Sequence, residues 1–302
     1  MDYVIETRDL TKCFGAFEAV SALNLHVAAN HITGFLGRNG VGKSTTIKML
    51  LGMTHPTSGS GSILGHAITD AKENREMRRR VAYVGEDKQL YAYMTVDQLI
   101  RFTASFYPDW SEETAQQLRR RYQLPPNRKV KALSKGMRTK LALLLALARR
   151  PALLILDEPS EGLDPVSIEE LLQALTGVAA EGTAVFFSSH QIAEVERIAD
   201  RVCILDRGKL AADLSLDELR QDYRRITLGF TTSPPEHVFE LPGVQRIETS
   251  GRQVVVVAHQ NTDEIVQRAR GFDAASVDVE PVTLRHNFAH AARCRSTELA
   301  MA

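Results

Sequence analysis

Two kinds of hydrophobic pattern alternate along the first two thirds of the chain. Ile32–Leu36, Leu153–Leu156 (LLIL) and residues 183–187 (TAVFF) are apolar runs with little polar alternation. Such runs suit parallel strands covered on both faces. Tyr3, Val4 and Ile5, and then residues 23–27, alternate like half-buried strands. Residues 44–51 place Ile47, Leu50 and Leu51 at helical spacing, and 166–180 and 191–200 also read as helices. Strand and helix alternating to about residue 215 predict an α/β core with a mostly parallel sheet. Residues 88–133 differ. They are polar, arginine-rich and helical, with Leu99, Ile100, Phe102 and Phe106 on one face, and predict an inserted helical subdomain. After about Leu219 the texture changes again. Ile226, Leu228 and Phe230 alternate with polar residues, and Pro234 and Pro235 break the chain. Residues 244–247 and 254–257 flank Ser250-Gly251 like a hairpin, 262–269 reads as a helix, and Val277 and Val279 alternate. The expected division is therefore an α/β domain over 1–219 and a small α+β domain over 220–302. The tail from Ala289 reads as disordered or as a short helix.

Composition narrows the class. The 302 residues are 44% hydrophobic and 25% charged, which suits a soluble globular protein with one large core or two smaller ones. Lys plus Arg and Asp plus Glu both number 37, so bulk charge gives no argument for nucleic-acid binding. The arginines of 88–133 read as a solvated helix face. Cys13, Cys203 and Cys294 are odd in number and far apart, as expected of reduced thiols in the cytosol. The start, MDYVIETRDL, is acidic and lacks the apolar core of a signal peptide. The apolar run 141–148 (LALLLALA) is too short to cross a bilayer. Any membrane-embedded part is expected in another chain.

Three stretches carry chemistry. GRNGVGKST, residues 37–45, fits the P-loop pattern in full: Gly37, four residues, Gly42, Lys43, Ser44. Its glycines let backbone N–H groups turn inward around phosphate oxygens, and the next helix aims its N-terminus at the same anion. Asn39, Gly40 and Thr45 belong to the same cradle. Lys43 would neutralise the β- and γ-phosphates, and the Ser44 hydroxyl would ligate Mg²⁺. In LLILDEP an apolar strand ends on two carboxylates, at the strand end where open α/β sheets bind ligands. Asp157 would hold Mg²⁺, directly or through water, and Glu158 would orient or deprotonate the attacking water. In ALSKGMRTKLALLLALARRP, residues 132–151, Ser134 is a helix N-cap and Pro151 stops the helix.

Together these stretches resemble the ABC (ATP-binding cassette) ATPases. LSKGM is similar to their signature loop LSGGQ, Glu161 to Asp164 stand as the D-loop, and His190 stands as the switch histidine. Phe14 stands where the family places the aromatic that stacks on adenine. The resemblance covers about residues 3 to 215 and rests on the whole set in order. It implies a P-loop core with a helical subdomain, paired head to tail with a second copy. ATP would lie between the P-loop of one copy and the signature loop of the other. Ser134 and Gly136 would contact the γ-phosphate held by the other copy's Lys43. His190 would contact that phosphate within one chain, and Asp164 would communicate between the two sites. The sequence departs from the family at Glu86, in AYVGED, where the family expects glutamine. A carboxylate there can still ligate Mg²⁺ as a hard oxygen donor.

The resemblance further implies an ATP-hydrolysing subunit that drives a separate integral-membrane permease from the inner face of the cell membrane. One nucleotide domain with an appended C-terminal part resembles bacterial exporters of the ABC-2 type. A homodimer is expected, and no nucleic-acid partner. The alternative is an ABC ATPase acting on ribosomes or nucleic acid. A single P-loop and about 45 residues between Glu86 and Leu133 weigh against that class, whose members carry two nucleotide domains or long coiled coils.

Overall fold

The computed structural model describes residues 2–235 and 237–284. In chain order the elements are β1 (Tyr3–Phe14), β2 (Phe17–Leu23), β3 (His26–Ala28), β4 (Ile32–Leu36), α1 (Lys43–Leu50), β5 (Ser58–Ile63), β6 (His66–Ala67), α2 (Ala71–Arg80) and β7 (Val81–Val84). Then come α3 (Val96–Ala104), α4 (Glu112–Arg121), a single 3-10 turn (Val130–Ala132), α5 (Lys135–Leu147), β8 (Leu153–Leu156), α6 (Pro165–Ala180), β9 (Ala184–Ser189), α7 (Ile192–Ile198), β10 (Arg201–Asp206) and β11 (Lys209–Ser215). The rest is α8 (Leu216–Asp222), β12 (Arg224–Phe230), β13 (Val244–Ser250), β14 (Gln253–Ala258), α9 (Thr262–Gly271) and β15 (Ala274–Pro281). The chain divides into two compact units between Asp213 and Leu214, and α8 falls in the second.

The first unit holds every candidate site residue. Its larger sheet has the order β11-β10-β4-β9-β8-β7. From β10 to β7 the neighbours are parallel. Every residue of β4, β8 and β9 is buried, which is why these stretches lack polar alternation. Register then fixes the site. Leu36 pairs with Ser189, Leu156 with Phe187, and Val84 with Leu156. Four loops, after β4, β7, β8 and β9, therefore leave the sheet side by side at one carboxyl edge. The second sheet, β2-β1-β5-β6 with β3 on β1, is antiparallel. Between the sheets Ile5, Leu25, Phe35, Ile47, Leu50 and Phe186 share one core. The Phe35 and Phe186 rings lie 5.3 Å apart.

The second unit is a sheet β13-β14-β12-β15 with antiparallel neighbours. Ile226, Leu228 and Phe230 are buried at alternate positions of β12, against Val254, Val256, Ile265 and Ala269. The 244–257 segment forms the expected hairpin. The tail from Ala289, with Cys294, lies outside the described residues. Cys13 and Cys203 are free thiols.

Several local expectations need correction. Residues 23–27 are not one strand. The Thr7 hydroxyl donates to the Leu23 carbonyl at 2.7 Å and accepts from the Leu25 N–H at 2.8 Å, so a side chain of β1 separates β2 from β3. Within 88–133 no helix begins before Val96, whose N-cap Thr95 forms a reciprocal capping box with Gln98. Residues 52–80 suggested no element, yet hold β5, β6 and α2. The strand SGSGSI has only Ile63 buried, and α2 buries only Asn74 and Met77, so neither shows a hydrophobic stripe. Among the described residues no helix is long and apolar enough to cross a membrane.

Candidate functional site

The loop after β4 is shaped by two backbone constraints. Gly42 has φ +111°, and a Cβ there would stand 2.4 Å from the Ala19 carbonyl oxygen. A Cβ on Gly37 would stand 2.8 Å from the Leu205 carbonyl oxygen. Gly42 is also the N-cap of α1 and offers no side-chain cap, so the first N–H groups of α1 face the loop unsatisfied by a capping side chain.

Three candidate residues meet at this loop. Lys43 is 5% exposed, and its Nζ donates to the Gly37 carbonyl at 2.6 Å and the Arg38 carbonyl at 3.1 Å. The same Nζ lies 2.9 Å from Glu158 Oε1 in a buried ion pair. Glu158 Oε2 lies 2.9 Å from His190 Nδ1, so the glutamate is held between a lysine and a histidine. Glu158 adopts φ +44°, in the left-handed region, at the sharp exit from β8. Such strain in a side-chain-bearing residue is concentrated at functional sites. A cleft of about 400 Å³ is lined by Phe14, Asn39, Gly40, Gly42, Ser44 and Thr45, together with Lys43, Glu158 and His190. Phe14 is 54% exposed at its rim rather than part of a core.

Ser44, Glu86 and Asp157 line one adjoining cavity of about 550 Å³. Ser44 and Glu86 also line the cleft, which joins the two spaces. A hydroxyl and two carboxylates form an oxygen-only donor set, which fits Mg²⁺ rather than a softer metal. The Tyr83 phenol reports this concentration of negative charge. Burial first, and then Asp157, Glu86 and Asp87, push its pKa up to about 12.

Ser134, Gly136 and Asp164 do not line the cleft. They sit together on another part of the first unit. The Ser134 hydroxyl caps α5 by accepting from the Met137 N–H at 3.2 Å. Asp164 caps α6, accepting from the N–H and hydroxyl of Ser167 at 3.0 and 2.7 Å. Those hydrogen bonds hold its carboxyl below the usual carboxylate range. A Cβ on Gly136 would stand 2.7 Å from the Ser167 hydroxyl, so the SKGM loop packs on the start of α6.

Ser188, Glu194 and Phe17 gave no signal in the sequence, and Glu161 was marked there only as part of the D-loop. Ser188 donates to Asp157 Oδ1 at 2.7 Å and accepts from the Glu158 N–H at 2.9 Å, bracing both acids from β9. Buried Glu194 accepts from the hydroxyls of Ser160 at 2.7 Å and Ser189 at 3.2 Å, tying the β8 and β9 exits together. Phe17 lies beside Phe14 across the β1–β2 turn and also lines the cleft. Glu161 Oε2 stands 4.0 Å from His190 Nε2, opposite Glu158. Among the described residues Glu158, Glu161 and His190 are the one group of potential metal ligands within 4.8 Å of one another. That group contains two residues of the cleft's catalytic candidates and neither Asp157 nor Glu86.

The chain is similar to known proteins over most of its length. Residues 20–161 match the family described as ABC transporter. The bacitracin transport ATP-binding protein BcrA of Bacillus licheniformis is 37% identical over 228 residues, 74% of each chain. The ABC transporter ATP-binding protein YdbJ of Bacillus subtilis is 31% identical over 286 residues, 93% of this chain and 92% of its own, so the similarity reaches into the second unit. A solved ATP-binding subunit of an ABC transporter superposes with a TM-score of 0.65 at 32% identity, over 72% of this chain and 92% of its own.

Proposed function

The chain is an ATPase of the ABC transporter family, and from that premise we propose that it drives an exporter by closing and reopening as a homodimer around ATP. The observation that carries the reading is the convergence of Lys43, Glu158 and His190 on the cleft floored by the 37–45 loop. Lys43 and the N–H groups at the start of α1 would hold the phosphates. Glu158, oriented by His190 and braced through Ser188, would accept a proton from the attacking water or fix its position. Phe14 would pack on the base. Ser44, Asp157 and Glu86 would hold Mg²⁺, which when bound neutralises phosphate charge.

The separate placement of Ser134, Gly136 and Asp164, with Ser134 and Asp164 exposed and Gly136 half-buried, supports a site completed by a second copy, since one chain does not bring them to its own cleft. The export direction is supported by the arrangement: one nucleotide domain, an appended C-terminal unit, and a relative named for bacitracin transport. The permease would be a separate integral-membrane protein, with this chain peripheral on the inner face. The α3–α4 insertion would carry the motion to it, and the second unit, 214 onward, is an accessory domain in this scheme.

The reading predicts what accompanies the protein. Affinity-tagged chain recovered from detergent-solubilised membranes of its own cells should bring a multi-span membrane protein in near-equal amount. Recovery of ribosomes or nucleic acid in its place would support the non-transport alternative. A second prediction concerns Glu86. Glu86→Ala should raise the Mg²⁺ concentration for half-maximal ATPase activity by about tenfold or more, the scale on which a metal site's supporting oxygens act. Glu86→Gln, which keeps one oxygen, should move it far less. Equal curves for both variants and wild type would remove Glu86 from the metal site.

A further inference from the structure

One cavity of the first unit stands apart from the nucleotide cleft and is larger than it. It measures about 700 Å³, and no residue that lines it lines the cleft or the adjoining cavity. Part of its lining is α4, through Thr114, Leu118 and Arg121, and part is α6, through Ala174, Gly177 and Val178. Leu147, Ala174 and Val178 give it apolar surface. Its size falls in the range of small-molecule sites.

Three features of the lining have no role in the chemistry above. Arg121 and Arg150 both line the cavity and make no ion pair among the described residues; Arg150 donates only one side-chain hydrogen bond, to the Ser111 hydroxyl at 3.1 Å. Two guanidinium groups against one carboxylate, Glu181, leave the lining net positive. Tyr122 is 7% exposed, and its buried hydroxyl has no hydrogen-bond partner. Gly177 lies inside α6, where glycine weakens a helix relative to alanine. It has no positive φ, and a Cβ there would meet nothing within 4 Å. Neither backbone conformation nor packing therefore requires a glycine. Its effect is to leave that stretch of the cavity lining without a side chain.

We propose that this cavity binds an amphipathic organic anion, with its acid group between Arg121 and Arg150 and its apolar body against Leu147, Ala174 and Val178. Guanidinium groups match planar or tetrahedral oxyanions through paired N–H donors, and ones without an ion pair beside apolar surface select for a molecule that has both parts. An occupant touches the helical insertion and the core together, so it would tie α4 to α6.

The probe is 1-anilinonaphthalene-8-sulfonate, an aromatic body carrying one sulfonate. It is titrated into the full-length protein with saturating ADP, so that the nucleotide cleft is filled. A single saturable fluorescence change is expected. Arg121→Gln and Arg150→Gln should each weaken binding about tenfold, the loss of a hydrogen bond to a charged group. Gly177→Trp should abolish it by filling the cavity from α6. Unchanged ADP affinity and melting temperature in the same variants establish that they are folded. Absence of saturable binding, or equal affinity in all three variants, overturns the proposal.

Discussion

Glu158→Gln is expected to lower the ATP turnover rate by about a hundred- to ten-thousand-fold, the contribution of a positioned proton acceptor, while ATP affinity stays near that of the wild type. The structure gives the substitution a defined outcome. Glu158 presents Oε1 to Lys43 at 2.9 Å and Oε2 to His190 Nδ1 at 2.9 Å. Glutamine has one acceptor oxygen and one donor amide. The amide oxygen must face the Lys43 ammonium, because an NH₂ group there would oppose another donor. The NH₂ then faces His190 Nδ1, which must accept rather than donate. Its proton moves to Nε2, on the side of Glu161, 4.0 Å away. The pocket keeps its shape and its hold on phosphate but loses both the base and the histidine's original tautomer. Stopped-flow nucleotide binding alongside steady-state hydrolysis separates the two effects. A turnover rate within about threefold of wild type would move the proton-acceptor role elsewhere.

Lys43→Ala is expected to act on binding first. Loss of a charge-assisted contact to phosphate costs about 1.5–3 kcal/mol, or about ten- to a hundredfold in ATP affinity. It has a second effect, on stability. Lys43 and Glu158 have side chains 5% and 8% exposed, and removing one partner of a buried pair typically costs about 3–5 kcal/mol because the other charge is stranded. Adding Glu158→Gln should therefore return most of the lost stability without returning ATP affinity. Thermal unfolding of the two single variants and the double variant forms a cycle that isolates this coupling. Additive losses would show that the pair is not energetically coupled in the folded protein.

How much of this was legible before the structure depended on whether the signal was local. β4, β8 and β9 were legible because strands buried on both faces cannot hide their composition. The 37–45 loop was legible because glycines, a lysine and a hydroxyl are required at fixed spacing between a strand and a helix. Sequence order did not reveal register. Ser188 braces Asp157 and Glu158 only because β9 pairs with β8, bringing Phe187 opposite Leu156. Glu161 reaches His190 only because the β8 and β9 exits are neighbours. β5 and α2 were missed for the opposite reason: serines, glycines and charges form elements there with almost no buried face, so tertiary pairing decides what propensity does not. The cavity between α4 and α6 belongs to the same class, since its two arginines come from separate elements.

The central claim is that one chain carries half of each ATP site. Light scattering of purified Glu158→Gln protein, with and without MgATP, tests it most directly. The account predicts a monomer that becomes a dimer when ATP is added, and no such shift when Ser134 and Gly136, which lie away from the chain's own cleft, are replaced by bulky residues. ATP binding at full occupancy to a chain that stays monomeric under every nucleotide condition would contradict it.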